Sequence, residues 1–427
     1  MHEPFFYNEA LEFVKGFEKS KIKLGLSRIE KALDVFENPQ DKLKTVHIAG
    51  TNGKGSVAAF LDSLLASQDN FIGRFCSPHL ITPRERIMVD GKPITRQWFA
   101  ASVSVLRDKI KEENLDLSYF EFFTLLAFYV FSFLKVDYAI METGLGGRLD
   151  STNTIKMPLI SVITSISMDH TDYLGETLFS IAREKTGIIK QGVPVFTSAK
   201  GEALEAIKLE CVKKSAPLYT LEKAGLKFEN GTVELTKFNI KAKPNLEGEF
   251  QAENLALALG VFHILTGLTG DFTDAVSKTV WPARMERFDL EKDRVLIVDG
   301  AHNPDALKYA VNSIPSEKFV CVFGCMKDKN VKEMINLVSS RFSKVYLTAG
   351  DYHRFMKKED FERENVALEF LPLAEAVKLP YSYERVCVLG SLHLAGDFIK
   401  KFVEEGRFKN AVVEKEPYSF IFDDYPY

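Results

Sequence analysis

The stretch TVHIAGTNGKGSVAAFLDSLLA at residues 45–66 runs from an apolar, β-type segment through a glycine-rich turn into a helical pattern. Gly50, Gly53 and Gly55 can adopt backbone angles that are closed to other residues, so successive N–H groups can point at an anion. Lys54 supplies the positive charge that phosphate-binding loops usually carry. The order of strand, loop, lysine and helix therefore predicts a site for nucleotide phosphate.

The loop is a variant of the usual phosphate-binding pattern. In the strict G-x-x-x-x-G-K-[ST] pattern a glycine would stand at Ile48, and a serine or threonine would follow the lysine directly. Here Gly55 follows the lysine and Ser56 comes next. The helix predicted from about Ser56 adds its positive end to the site. A glycine-rich turn that binds no ligand is the alternative interpretation.

Length and composition are those of an ordinary globular protein. The 427 residues exceed the size of one hydrophobic core and suggest two or three domains. Hydrophobic residues make up 46% of the chain and charged residues 27%. The net charge of −4 gives no electrostatic case for nucleic-acid binding. The N-terminal segment lacks a basic region followed by an apolar core, so we expect no secretory signal and a cytoplasmic protein.

One apolar stretch, at residues 119–134, could be mistaken for a membrane span. Its length of about 16 residues is below the roughly 20 that a span needs, and Glu121 lies in its first turn. Ser118 and Glu121 form an S-x-x-E capping box, which predicts a buried helix that begins there. We therefore expect no association with a membrane.

The cysteines follow neither a disulfide pattern nor a zinc pattern. The chain has five, an odd number, and most of them stand in strand-like runs. Two of them lie close together in Cys-Val-Phe-Gly-Cys, which we expect to be a buried strand and its end and not a pair of metal ligands. The five are Cys76, Cys211, Cys321, Cys325 and Cys387.

Short apolar runs alternate with helical patterns along most of the chain. This alternation predicts an α/β fold with a doubly wound, mainly parallel sheet that is covered on both faces. The runs in the first part of the chain lie at 45–49, 71–75, 137–142, 159–164 and 193–197.

Two further segments complete the predicted organisation. Residues 216–243 alternate apolar and polar side chains, which predicts a small antiparallel β insertion. A second βα series begins at Arg294, continues with strand-like runs at 319–323, 345–348 and 385–389, and needs a smaller sheet of its own. The charged stretch at 288–294 lies between apolar ones, so we expect one domain over 1–290 and a second over 291–427.

Polar residues follow several predicted strands, at the edge where ligands bind in such folds. Glu142 ends one strand, where a carboxylate suits a magnesium ion held against phosphate oxygens; a loop-capping glutamate is the alternative. Asp169 and His170 follow another strand, and a histidine there is more often a hydrogen-bonded structural residue than a metal ligand. Lys185 lies near the end of the next helix, where a solvated helix face is the simpler interpretation.

Other polar clusters are weak signals when taken singly. Ser77 and His79 follow the strand at 71–75, and Arg84 and Arg86 stand in the same loop. These arginines could clamp a carboxylate or a phosphate, or they could be ordinary surface residues. Similar short clusters stand at 251–254, 282–284 and 299–303.

The motifs taken together, in their order along the chain, are far more specific. The series is GTNGKGS (50–56), SPH (77–79), YFE (119–121), ETGLGGRLDSTN (142–153), DH (169–170), EKTGI (184–188) and DGAHN (299–303). In letters, order and spacing the chain resembles the folylpolyglutamate synthase and dihydrofolate synthase family of the Mur ligase superfamily, over roughly residues 20–400.

The resemblance implies an activity and an architecture. Members of that family use ATP to join a pteroate or folate carboxylate to the amino group of L-glutamate through an acyl phosphate. Residues 1–290 would form a P-loop-type domain that binds ATP and folate, and residues 291–427 a Rossmann-like domain that binds glutamate. The expected cofactors are ATP, two Mg²⁺ ions and a monovalent cation such as K⁺. The expected protein is a monomer that acts on small molecules.

The resemblance also implies roles for individual positions, each of which is an expectation. It places in the ATP site Gly53, Lys54, Gly55, Ser56, Asn254, Arg284 and Asp299. It implies as metal ligands Ser77, Glu142 and His170. It places against folate Ser118, Tyr119, Phe120 and Glu121, and against glutamate His302 and Ser391. The implied catalytic residues are Lys54, His170, Lys185, Asp299 and His302, with Lys185 carried as a carbamate.

Two alternatives stay open at this point. One is a ligase of the same superfamily that adds an amino acid to a cell-wall nucleotide precursor, which would have the same phosphate loop and use metal ions in the same way. The 142–150 and 119–121 segments fit folate enzymes better. A nucleotide-dependent switch without ligase activity would share only the phosphate loop. A switch needs no amino-acid site, so phosphate release that depends on glutamate distinguishes the two classes.

Overall fold

The computed structural model describes residues 5–19, 25–248, 250–315 and 318–404 of the 427-residue chain. These residues fall into two compact units. The first takes the described residues within 1–79, 83–245 and 252–279. The second takes those within 80–82, 246–251 and 280–427.

The first unit is built on a sheet that has eight strands among the described residues. They are β1 (Thr45–Ala49), β2 (Ile72–Phe75), β3 (Ile87–Val89), β4 (Lys92–Pro93), β5 (Tyr138–Glu142), β6 (Ile160–Ile163), β7 (Val195–Thr197) and β8 (Leu218–Thr220). Their order across the sheet is β4-β3-β2-β5-β1-β6-β7-β8. Only β3 and β4 run antiparallel to their neighbours. Strand β1 lies between β5 and β6 and is buried at every position, as a central parallel strand should be.

Helices connect and cover these strands. Before residue 280 they are α1 (Tyr7–Lys15), α2 (Ser27–Val35), α3 (Lys54–Ala66), α4 (Arg96–Glu112), α5 (Tyr119–Leu134), α6 (Thr171–Leu174), α7 (Leu178–Lys185), α8 (Gly201–Lys213), α9 (Phe250–Thr266) and α10 (Thr273–Ser277). Short 3₁₀ segments lie at Gly16–Lys19, Pro39–Lys42, Pro83–Arg86, Ser151–Thr154 and Thr186–Ile188. The buried helix predicted at 119–134 is α5, and the predicted Ser118–Glu121 capping box begins it.

A small second sheet confirms the predicted β insertion over residues 226–242, whereas residues 218–220 of the predicted 216–243 segment form β8 of the first sheet. It contains β9 (Leu226–Glu229), β10 (Thr232–Leu235), β11 (Ile240–Ala242) and β12 (Gly270–Asp271), in the order β12-β11-β10-β9. The pairs β9–β10 and β10–β11 are antiparallel, as the alternating pattern predicts. The short β12 pairs with β11 in parallel.

The second unit has its own mainly parallel sheet. Its described strands are β13 (Glu286–Leu290), β14 (Arg294–Val298), β15 (Val320–Phe323), β16 (Lys344–Leu347), β17 (Glu369–Phe370) and β18 (Arg385–Leu389), in the order β13-β14-β18-β15-β16-β17. Its helices are α11 (Pro304–Ser313), α12 (Val331–Arg341), α13 (Lys358–Arg363), α14 (Leu373–Ala376), α15 (Leu379–Ser382) and α16 (Leu392–Glu404). Apolar side chains on both faces of this sheet form two core clusters. The predicted α/β architecture with a second, smaller α/β sheet is confirmed.

The main segment of the second unit begins at residue 280, ten residues before the predicted end of the first domain at 290. Strand β13 at 286–290 pairs antiparallel with β14, so this charged segment belongs to the second sheet rather than to a linker. The division of labour between residues 1–290 and 291–427 stays a prediction, and residues 405–427 lie outside the described residues.

Two absences concern the described part of the chain. Its five cysteines are all free and buried, in line with the expectation of no disulfide framework. None of the described helices combines the length and the apolar character needed to cross a membrane.

Candidate active site

The predicted phosphate loop joins the central strand β1 to helix α3. Gly50 and Gly53 both have positive φ, at 152° and 89°, which disfavours any residue with a side chain. A Cβ atom at Gly50 would collide with the Thr164 side chain, and one at Gly53 would collide with the Asn254 side chain. Both glycines are therefore required by the backbone and by the close approach of neighbouring residues.

The segment after β6 holds the loop in place. The Thr51 N–H donates to the Ser165 carbonyl at 2.8 Å, and the Thr164 hydroxyl donates to the Asn52 carbonyl at 2.7 Å. Asn52 and Ser165 also form a β-bridge. The residues that follow β6 thus hold the middle of the loop, and this fixes the position of the first turn of α3.

Lys54 and Glu142 meet over this loop. The Lys54 Nζ donates to the carbonyls of Gly50 and Thr51 at 3.2 and 3.1 Å and lies 3.8 Å from the Glu142 Oε1. The side chains are 17% and 4% exposed, so a carboxylate and a cation lie together in a site that is largely shielded from water. This is the arrangement that the sequence predicts for a phosphate with a metal ion beside it.

Lys185 reaches the same loop from the end of α7. Its Nζ donates to the Gly50 carbonyl at 2.7 Å, and its side chain is buried. The pKa of Lys185 is lowered from 10.5 to about 7, mainly because burial disfavours the charged form and also because the Lys54 charge is near, while Asp169 and Asp150 act in the opposite direction. Lys185 therefore titrates near neutral pH instead of being a permanent cation on a solvated helix face.

The glycine-rich loop after Glu142 packs on the end of α7. The Arg148 N–H donates to the Glu184 carbonyl at 2.8 Å, and the Arg148 guanidinium pairs with the Glu184 carboxylate at 3.0 Å. A Cβ at Gly147 would lie 2.7 Å from the Lys185 carbonyl oxygen, so only glycine allows this approach. The motif at 142–153 and the motif at 184–188 are therefore in direct contact.

Ser77 and His170 leave the same edge of the first sheet as Glu142. Ser77 follows β2, whose Phe75 pairs with Met141 on β5, and it is half-buried. His170 has φ of 52°, its side chain is 42% exposed, and its Nε2 lies 3.9 Å from the Asp169 Oδ2. Joint metal coordination by Ser77, Glu142 and His170 stays a prediction.

A metal ion at this edge would depend on its substrate for most ligands. Across the described ranges, no group of three or more His, Cys, Asp or Glu side chains is assembled as a metal cage. Mg²⁺ is usually held by one or two carboxylates, substrate phosphates and water. The Glu142 carboxylate and the Ser77 hydroxyl supply oxygen donors of that kind, so the residues fit Mg²⁺ bound together with a nucleotide.

The segment predicted to meet folate is aromatic and partly structural. The Glu121 carboxylate accepts from the Ser118 N–H at 2.8 Å and pairs with Arg28 at 3.0 Å, so it fixes the start of α5. The Tyr119 ring lies 5.2 Å from the Arg86 guanidinium. Phe120 packs 5.7 Å from the Phe75 ring and close against Gly144. Tyr119 and Phe120 therefore offer half-buried rings, whereas Glu121 is occupied within the fold.

In the second unit, Asp299 follows β14 at the carboxyl edge of its sheet. Its carboxylate accepts from the N–H groups of Met285 and Ala301 at 2.7 and 2.8 Å. Burial raises the pKa of Asp299, while Arg284 and the two backbone donors oppose that shift. Asp299 thereby anchors the residue that follows Arg284 and the residue that follows Gly300.

His302 and Ser391 lie at the ends of neighbouring strands in this unit. The His302 Nδ1 is 3.0 Å from the Gly300 carbonyl, so this nitrogen carries the proton. Ser391 is buried and follows β18, whose Val388 pairs with Val298 on β14. Parallel pairing of β14 and β18 brings both residues to one edge, as the sequence predicts for a glutamate site; their roles stay predictions.

Sequence reasoning missed several residues that shape the site. Thr164 and Ser165, which hold the phosphate loop, carry no motif beyond their position after a strand. Asp150 is one letter of the 142–153 motif with no role predicted for it, yet its buried carboxylate accepts from several backbone N–H groups of that loop. The position of an aspartate within a glycine-rich run was the one signal available.

The chain is similar to known proteins over most of its length. The pattern of the Mur ligase glutamate ligase domain matches residues 283–397. A dihydrofolate synthase/folylpolyglutamate synthase of Bacillus subtilis is 31% identical over 437 residues, which covers 92% of this chain and 99% of the relative. The chain therefore spans almost the whole length of that relative.

Two solved structures share the fold. The Mycobacterium tuberculosis folylpolyglutamate synthase, solved with ADP and AMPPCP, has a TM-score of 0.82 and 28% identity and covers 93% of this chain and 99% of its own. A bifunctional folylpolyglutamate synthase/dihydrofolate synthase from Yersinia pestis, complexed with AMPPNP and Mn ion, has a TM-score of 0.80, 26% identity, and coverage of 92% and 97%. The chain belongs to the folylpolyglutamate synthase and dihydrofolate synthase family, whose members are ATP-dependent glutamate ligases.

Proposed function

We propose that this chain adds L-glutamate to a folate carboxylate by way of an acyl phosphate, using the residues that surround the loop at 50–56. The observation that carries the proposal is the meeting of Lys54, Glu142 and Lys185 at that loop, with Lys54 3.8 Å from Glu142 and Lys185 2.7 Å from the Gly50 carbonyl. The names of the relatives support the same reaction class.

The first step requires two anions to approach each other. An oxygen of the folate carboxylate attacks the γ-phosphorus of ATP, the bond to the β-γ bridging oxygen breaks, and ADP leaves. Lys54 and the N–H groups of residues 53–56 at the start of α3 would hold the phosphates and offset their charge. Mg²⁺ bound through Glu142 and Ser77, with His170 at a second ion, would supply further charge neutralisation and alignment of the phosphates.

The second step forms the amide. The amino nitrogen of glutamate attacks the acyl carbon, a tetrahedral intermediate forms, and phosphate leaves as the nitrogen loses a proton. In this proposal His302 and Ser391 bind the incoming glutamate, and Asn254, Arg284 and Asp299 bind ATP. The buried hydrogen bonds of Asp299 to Met285 and Ala301 would keep the backbone beside Arg284 in one position.

Lys185 would act as a carbamate. With a pKa of about 7, a large share of the amine is neutral at physiological pH and can attack CO₂. The new N–C bond forms, one amine proton passes to solvent, and the side chain changes from a neutral amine to an anionic carbamate. An anion beside the loop would bind a metal ion or order its water molecules, which an ammonium group cannot do.

Finer properties of the enzyme also remain proposals. Because the Bacillus subtilis relative is named for both activities, we propose that this chain accepts dihydropteroate as a second acceptor beside tetrahydrofolate. Tyr119 and Phe120 would meet the pterin end of either acceptor. We also propose a requirement for K⁺, a monomeric state and a cytoplasmic location.

Transfer of oxygen tests the acyl phosphate directly. Folate labelled with ¹⁸O in its terminal carboxylate would pass one labelled oxygen to the released phosphate if that carboxylate attacks ATP. Mass spectrometry of the phosphate measures the label, and a reaction without glutamate is the control. Unlabelled phosphate in a reaction that nevertheless produces the glutamylated folate would contradict the proposed mechanism.

A further inference from the structure

A buried histidine lies in β1, the strand that leads into the phosphate loop. His47 is in the middle of β1, has no exposed surface, and places its Nε2 2.8 Å from the Thr152 Oγ1. Burial, with a smaller contribution from the Lys190 charge, lowers the pKa of His47 from 6.5 to about 3. The imidazole is therefore neutral at any pH at which the protein would be assayed.

The direction of these hydrogen bonds follows from the next partner. The Thr152 hydroxyl also lies 2.6 Å from the Asp150 Oδ1, and an ionised carboxylate can only accept. The hydroxyl hydrogen therefore points to Asp150, and the Thr152 oxygen accepts from the Nε2–H of His47. The three side chains form a one-way relay from β1 to the loop after β5.

Asp150 is the point at which the relay reaches the backbone. Its Oδ2 accepts from the N–H groups of Gly144 and Leu145 at 2.9 and 2.8 Å, and its Oδ1 accepts from the Thr152 N–H at 3.0 Å. Burial raises the pKa of Asp150, whereas these donors lower it. The buried Asp150 carboxylate therefore holds the start of the loop, at Gly144 and Leu145, close to its end at Thr152.

The loop held in this way connects two groups of the proposed site. It begins directly after Glu142, where the Thr143 N–H continues the sheet by donating to the Ile48 carbonyl at 2.9 Å. Further along, the same loop rests on the α7 end that carries Lys185, through Gly147 and the pair of Arg148 with Glu184. A shift of the loop would therefore move Glu142 and Lys185 relative to each other.

We propose that His47 and Thr152 are positioning residues, which fix the loop at 143–150 through Asp150 and so set the placement of Glu142 and Lys185. The catalytic consequence rests on the proposed function, whereas the ordering of the loop does not. His47 touches neither substrate nor metal in this proposal. Its Nε2–H acts at a distance through one hydroxyl and one carboxylate.

The test replaces Thr152 with two residues of similar size. Thr152→Val removes the hydroxyl and keeps the shape, while Thr152→Ser keeps the hydroxyl. The control is Thr197→Val, which removes another buried hydroxyl, bonded to the Ile163 carbonyl at 2.7 Å in β7 of the same sheet. Amide hydrogen exchange of the full-length protein is measured over the peptide that contains Gly144 and Leu145.

We expect Thr152→Val to lose exchange protection in that peptide and Thr152→Ser to retain it, with Thr197→Val equal to wild type there. In glutamate ligation, kcat should fall by about 10- to 100-fold for Thr152→Val with little change in KM for glutamate, and Thr152→Ser should recover it. Unchanged protection in Thr152→Val would overturn the proposal, whatever the activity. Lost protection with unchanged kcat would support the role of Thr152 in ordering the loop and overturn the proposed effect of that ordering on catalysis.

A second measurement needs no variant. Nitrogen-15 NMR of histidine-labelled protein reports which ring nitrogen carries the proton, with His47→Gln identifying the signal. The proposal requires a neutral His47 ring with the proton on Nε2 between about pH 6 and 8, as the relay direction demands. A proton on Nδ1, or a ring that becomes charged in this range, would overturn it.

Discussion

Lys185 offers the most quantitative prediction, because its lowered pKa increases the fraction of its amine that is neutral near pH 7. With a pKa of about 7, about three quarters of the side chain is neutral at pH 7.5, compared with about 0.1% for a lysine at 10.5. Only the neutral amine attacks CO₂. We therefore expect Lys185 to carry a carbamate under bicarbonate at neutral pH, with a dependence on pH centred near 7.

The assay is carbon-13 NMR of the protein in ¹³C-bicarbonate, from pH 6 to 9, with the amount of dissolved CO₂ held constant. Lys185→Met is the matched variant, since it keeps the length and apolar stem of the side chain. We expect one carbamate signal in the wild type that is missing from the variant. The reasoning is refuted if the two spectra agree, or if the signal appears only as pH approaches the ordinary lysine pKa of 10.5.

The same pKa has a consequence for stability in CO₂-free buffer. The folded state of Lys185 binds its proton less tightly than the unfolded state does, so the unfolded chain holds more protons between pH 7 and 10.5. The free energy of unfolding of the wild type, relative to Lys185→Met, should therefore rise with pH across that window. The rise is at most about 5 kcal/mol, from about 1.4 kcal/mol per pH unit. A flat difference in urea unfolding experiments would show that burial does not perturb this lysine.

Two further predictions concern the phosphate loop. Lys54→Ala and Glu142→Ala are each expected to lower kcat by about 10²- to 10³-fold, because the proposed function assigns each of them to the transferred phosphoryl group. Steady-state ADP formation checks this, and near-wild-type rates in both variants would remove them from the site. Gly53→Ala should weaken binding of a non-hydrolysable ATP analogue, measured by calorimetry, because its Cβ would collide with Asn254 at a φ of 89°. Gly91→Ala is the control, since its φ is 71° and nothing lies within 4 Å of the added Cβ, and equal affinities in the two variants would contradict the argument.

The strand, turn and helix at the phosphate loop were predictable from local pattern. The predicted strand at 45–49 is β1, and the helix predicted from about Ser56 begins two residues earlier at Lys54. The reason is that β1 lies in the middle of a parallel sheet and carries a continuous apolar run, while glycine marks the turn. The same pattern placed β14, β15, β16 and β18 within a residue or two.

What the sequence could not supply was the contact between distant segments. Strand β13 carries charged side chains at three of its five positions and lies at the sheet edge, so its pattern looked like a boundary. The Lys54–Glu142 contact depends on β1 and β5 being neighbours, which the order of strands along the chain does not reveal. For the same reason, a lone histidine at position 47 gave no sign of its bond to Thr152, which is 105 residues away.

The central claim is that ATP cleavage in this chain is coupled to the joining of glutamate and a folate. The most direct measurement is an assay of ADP and product formed from tetrahydrofolate and, in parallel, from dihydropteroate, with either glutamate or the acceptor omitted as controls. We predict that ADP and a product one glutamyl residue heavier appear in equal amounts, and only when all three substrates are present. ADP that forms at the same rate without glutamate or acceptor, and without a heavier product, would contradict the account.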